Sequence, residues 1–169
     1  MTIHTGHPFP TPDDPVRRLR GRLGGAVSLW TAGGPDASRA GLTVTSWMVA
    51  AGAPGRLLGL LDPDADLTEA LLGTGRGVVQ LLSWADRGLA EAFAGTTPAP
   101  GGPWRMAGWT TTPHGPRLAH AATWAAVEVE ADVEVGWSRL VTCRLDQLVV
   151  GDEHEPLVHR RGRFVPPAG

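Results

Sequence analysis

The longest regular pattern in the chain sets Val127, Val129, Ala131, Val133 and Val135 against Glu128, Glu130, Asp132 and Glu134. A period of two gives a β-strand one buried face and one wet face. Residues 39–49 carry a shorter version of the same pattern, through Leu42, Val44 and Ser46. Runs at 26–31 and 78–82 predict strands, 57–61 predicts a buried one, and 140–150 a long one. Residues 157–159 and 163–165 read as short strands. Turn-forming groups fall between them, at Gly33-Gly34-Pro35-Asp36 and Gly151-Asp152-Glu153-His154. Helix signals are few. Asp14-Pro15 offers a capping carboxylate and a proline that has no amide to leave unpaired, so a helix runs from there to about Leu23. Asp66-Leu67-Thr68-Glu69 has capping-box spacing and opens a helix that stops near Gly73. Ser83 caps a helix over 84–93 that Gly95 closes. Many strands, a few short helices and no regular βαβ rhythm predict a mainly β fold with short helices, a barrel rather than a doubly wound sheet.

Composition narrows this picture in three places. The 169 residues suit one domain, placed at 13–166, after an extended arm at 1–12 that holds Pro8, Pro10 and Pro12. A formal net charge of −2 excludes the phosphate-neutralising surface that nucleic acid requires. Cys143 is the only cysteine, and no apolar run approaches a membrane span, so a reducing cytoplasm with no membrane contact is expected. All 15 basic residues are arginine, and lysine, asparagine and tyrosine are missing, which points to a GC-rich source rather than to a function.

The familiar catalytic signatures are absent. There is no phosphate-binding loop, no G-x-G-x-x-G after a strand and no G-x-S-x-G elbow. His114 and His120 lack the spacing of local zinc ligands, and His154 sits in an acidic turn whose default reading is a solvated loop. The first helix carries Arg17, Arg18, Arg20 and Arg22, a density that suits an anion, although its default reading is likewise a solvated face. Seven tryptophans read mainly as core or interface residues, with one or two offering a stacking face to a flat ligand.

The order of segments says more than any one of them. Ala26-Val27-Ser28-Leu29-Trp30-Thr31 precedes Ala40-Gly41-Leu42-Thr43-Val44-Thr45-Ser46. After these come Val78-Val79-Gln80-Leu81-Leu82-Ser83, Leu89-Ala90-Glu91-Ala92-Phe93-Ala94-Gly95, Gly115-Pro116-Arg117-Leu118 and residues 156–164. This succession resembles the flavin reductase-like FMN-binding split-barrel family over residues 16–165. The resemblance implies a Greek-key split β-barrel that holds FMN, with FAD or a deazaflavin as alternatives, in a homodimer with the flavin near the interface. It also implies hydride transfer from NADH or NADPH to flavin. Carried onto this chain, it gives Thr43, Val44, Thr45 and Ser46 as cofactor-binding residues. Trp47, Arg160 and Arg161 belong at the ring or the phosphate, and Thr68 stands at a helix start whose free amides suit an anion. It names no catalytic acid or base and no metal. Two departures stand out. Hydroxyls thin out at Met48-Val49-Ala50-Ala51, and Gly136-Trp137-Ser138 stands where NADH-using relatives carry Gly-Asp-His. They motivate a second reading, a non-catalytic flavin, deazaflavin or haem binding protein on the same barrel.

Overall fold

A computed structural model describes residues 14–36 and 38–168, and the arm expected over 1–12 lies outside them. Helix α1 (Pro15–Leu23) forms where the Asp14 carboxylate accepts the Val16 amide at 2.9 Å and Pro15 fills the first position. Gly24, with φ +60°, ends it and turns the chain into β1 (Gly25–Ala26). Then follow β2 (Ser28–Ala32), β3 (Ala40–Val44), β4 (Trp47–Ala50), β5 (Arg56–Leu61), α2 (Asp66–Thr74) and β6 (Arg76–Leu81). A short 3₁₀ turn (Trp84–Asp86) leads into α3 (Arg87–Phe93). The remainder is β7 (Trp109–Thr112), β8 (Gly115–Leu118), β9 (Trp124–Val135), β10 (Ser138–Val149), β11 (Val158–Arg160) and β12 (Arg163–Val165).

Seven strands form one antiparallel sheet in the order β3-β2-β6-β9-β10-β5-β4, curled into a half-barrel. A small sheet β1-β11-β12 and the hairpin β7-β8 complete the mainly β fold that the strand pattern predicts. Inside the curl, Trp30, Leu57, Leu61, Val127 and Val141 pack against Leu67 and Leu71 of α2. Across β2 a second cluster joins Val27 and Leu29 to Leu82, Leu89, Phe93, Leu118 and Leu157. Every residue of β2 is therefore buried, which is why its sequence is a continuous run rather than an alternation. Gly59 is dictated by this packing. A Cβ there would stand 2.5 Å from Cη2 of Trp30.

Three expectations change. No side chain caps α2. Its first residue is Asp66, the cap is Ala65, and the reciprocal capping box forms instead between Ser83 and Asp86. The helix expected over 84–93 divides into the 3₁₀ turn and α3, because that box tightens the first turn. The alternation on β9 is buried only in its first part. Val127 is inaccessible, whereas Val133 and Val135 are 55% and 47% exposed. Beyond Val129, whose amide still donates to the Gly75 carbonyl at 2.9 Å, the register pairs β9 with β10 only, and the residues of this end of the hairpin are exposed.

Candidate functional site

The Gly24-Gly25 turn brings α1 back across the entrance of β4 and β5. Arg20 holds it there, its guanidinium donating to the Ser46 hydroxyl at 2.8 Å. Trp47, the first residue of β4, is fixed from the other side by its indole N–H, which donates to the Ala26 carbonyl at 3.1 Å. Between these elements lies a slot of about 290 Å³ whose apolar walls are Leu23, Trp47, Met48, Leu58, Leu60 and Leu140. It opens into a wider mouth of about 510 Å³, lined by Arg17, Arg18, Arg20, Arg22 and Arg161. The two spaces share Arg20, Gly21, Thr45 and His159, so they form one crevice. The volumes match small-molecule sites. No carboxylate lines the crevice among the described residues.

An apolar slot with an indole wall accepts a flat aromatic group. Guanidinium groups at its mouth present forked donors that match phosphate oxygens. His159, on β11 opposite Gly25, stands where the two regions meet. Its ring packs edge-on against Phe164, with centroids 5.8 Å apart. Burial, and then the neighbouring Arg20 charge, hold its pKa below the ordinary 6.5. The imidazole is therefore neutral at pH 7 and offers one donor and one acceptor.

The structure gathers some of the residues named from sequence and separates others. Thr45, Ser46, Trp47 and Arg161 line the crevice. Thr43 lies to one side and spends its hydroxyl on the Ala90 carbonyl at 2.7 Å. Val44 is a core residue of the barrel. Thr68 is buried, donates to the Asp62 carbonyl at 2.6 Å and, with the start of α2, lies outside the crevice. Arg160 is exposed and runs its aliphatic stem beside Gly24. The arginines of α1 are solvent-exposed, as a solvated face requires, and all four also line the mouth. The available signal was their density, four in a helix of nine residues that ends at a glycine pair.

The sequence profile of the flavin reductase like domain matches residues 20–168. A search among curated proteins finds no match. Several solved structures share the fold. The NADH:FAD oxidoreductase SgcE6 of Streptomyces globisporus C-1027 is 21% identical, with a TM-score of 0.80 over 96% of this chain and 99% of its own. The flavin reductase PheA2 is 20% identical, with a TM-score of 0.82 over 94% and 100%. A homologue of nitrilotriacetate monooxygenase component B from Mycobacterium thermoresistibile is 18% identical, with a TM-score of 0.79 over 90% and 85%.

Proposed function

The chain belongs to the flavin reductase-like domain family and is an oxidoreductase of that family, and from this premise we propose that its crevice binds a flavin, with FMN as the fitting form, and that the protein reduces it with NADH or NADPH. The observation that carries this reading is the continuity of an apolar, tryptophan-walled slot with an arginine-lined mouth. A flavin mononucleotide has the same two parts, a flat ring system and a phosphate. Trp47, Leu58, Leu60 and Leu140 would hold the ring and keep water from it. Arg20, Arg161 and the other arginines of α1 would hold the phosphate. A bound flavin supplies acceptance of a hydride from reduced nicotinamide, and the protein supplies position and electrostatics. Neutral His159 adds one hydrogen-bonding group at the junction without adding positive charge beside the ring. The Streptomyces globisporus protein is named for FAD, and five arginines give room for a diphosphate as well, so FAD is the second candidate.

A homodimer in the cytoplasm completes the proposal. Met48 and Leu60 are exposed apolar residues lining the slot, and Val49, exposed next to Met48 on β4, extends that apolar surface, suited to cover by a second copy. No helix among the described residues is long and apolar enough to cross a membrane.

The test is titration of the purified protein with FMN and with FAD, read by quenching of tryptophan fluorescence. The expected result is saturable quenching at one flavin per chain. Arg20→Ala and Arg161→Ala should each weaken binding by roughly tenfold or more, the worth of a charge-assisted contact. Wild-type affinity in both variants would move the phosphate away from this mouth.

A further inference from the structure

We propose that His114, Glu128 and Asp146 form a binding site for a divalent transition-metal ion such as zinc, apart from the flavin crevice and independent of it. The three residues come from separate parts of the chain. His114 sits in the tight turn between β7 and β8, where its amide donates to the Thr112 hydroxyl at 3.2 Å. Glu128 lies on β9. Asp146 is the extra residue of a β-bulge in β10, where pairing passes from Leu145–Val127 to Gln147–Ala126. Bulges re-aim side chains, and this one sets a carboxylate beside the histidine.

The atoms that face one another are those a metal takes. His114 Nε2 lies 3.1 Å from Asp146 Oδ2 and 4.0 Å from Glu128 Oε1. All three ligand atoms lie within 4.8 Å of one another. Ligands held at zinc distances in a tetrahedron stand about 3.4 Å apart, so small side-chain rotations close the set. His114 Nε2 is fully buried yet makes no hydrogen bond among the described residues, although a carboxylate oxygen is close. A buried polar atom in that condition calls for a partner. A cation between the nitrogen and the two oxygens supplies one. Both carboxylates remain about one-third exposed, which leaves access for the ion and for a water in the fourth position.

Arg144 fits as a support from behind. It hydrogen-bonds Glu128 Oε2 and lies 3.7 Å from Asp146 Oδ1, the oxygens turned away from the histidine. Outer partners of this kind fix the orientation of metal ligands. Without a metal, the same four side chains amount to a local ion-pair cluster, and the experiment decides between the two.

The test uses the full-length protein stripped with a chelator and titrated calorimetrically with Zn²⁺. The wild type should bind one equivalent, and zinc should raise its unfolding temperature. Asp146→Asn and His114→Gln should each weaken binding by roughly tenfold or more, and zinc should no longer raise their unfolding temperatures. Asp146 lies at a partly exposed position, so its variant carries the test if His114→Gln does not fold. His154→Gln, in an exposed loop, should bind as the wild type does. Absence of one-equivalent binding, unchanged binding in Asp146→Asn, or loss confined to His154→Gln would overturn the proposal and leave the cluster as ion pairs alone.

Discussion

His159 links the chemistry of the crevice to the stability of the fold. Its pKa is lowered in the folded state by burial and by Arg20, so the folded protein binds this proton less readily than the unfolded chain does. At pH above the ordinary 6.5 both states are neutral, and the shift contributes nothing. As pH falls through 6.5 towards the lowered folded value, protonation increasingly favours the unfolded chain. The unfolding temperature of the wild type should therefore fall more steeply on mild acidification than that of His159→Gln. Parallel curves would show that the ring gains its proton equally in both states. Gln80 shows a different economy. It is wholly buried, its carbonyl accepts the Leu118 amide at 2.6 Å, and its amide group donates to Thr31 Oγ1 at 3.3 Å. Gln80→Leu strands the Leu118 amide and should cost about 1–3 kcal/mol in denaturant unfolding. The role of Gln80 was not legible in sequence, because it sits in an ordinary apolar run and its partner lies 38 residues away.

Strands and helices were readable where a local cause sets them. The cap at Asp14-Pro15 and the buried runs of β2 and β6 follow from local chemistry, and the structure places them as expected, whereas β5 forms as a strand with Leu57 and Leu61 buried and Leu58 and Leu60 turned to the slot. The exceptions share a reason. Whether β9 stays buried along its length depends on how far β6 extends beside it, which no period of two encodes. Whether α1 is merely solvated or lines a site depends on the Arg20–Ser46 bond across 26 residues. Thr45, Ser46 and Trp47, in the stretch the ordered motifs flag, line the crevice. Thr43 and Thr68 look the same in sequence, and only the fold shows their hydroxyls spent on Ala90 and Asp62. Gly59 tests the packing between β5 and β2. Gly59→Ala puts a methyl group against Trp30 and should destabilise the protein by about 1–3 kcal/mol. A neutral effect would mean that the indole has room to shift.

For the whole molecule, a curled sheet closed on one side by α1 produces a crevice with chemically different ends. The same curl leaves Met48 and Val49 outward on β4, 66% and 61% exposed, beside that crevice. If a second copy covers them, sedimentation should give twice the chain mass, and Val49→Glu should shift it towards the monomer. A wild-type monomer would mean that the site is complete within one chain. Metal binding at His114 bears on neither outcome, since none of its proposed ligands lines the crevice.

A crevice that binds flavin for reduction must couple nicotinamide oxidation to flavin. The most direct measurement is the oxidation of NADH and of NADPH by the purified protein with FMN or FAD supplied, in the wild type and in the Arg20→Ala/Arg161→Ala double variant. Flavin-dependent oxidation of at least one nicotinamide is expected, with a loss of roughly tenfold or more in kcat/KM for flavin in the variant. Flavin bound stoichiometrically with no oxidation of either nicotinamide would contradict that coupling, and would make the protein a flavin carrier on a reductase fold.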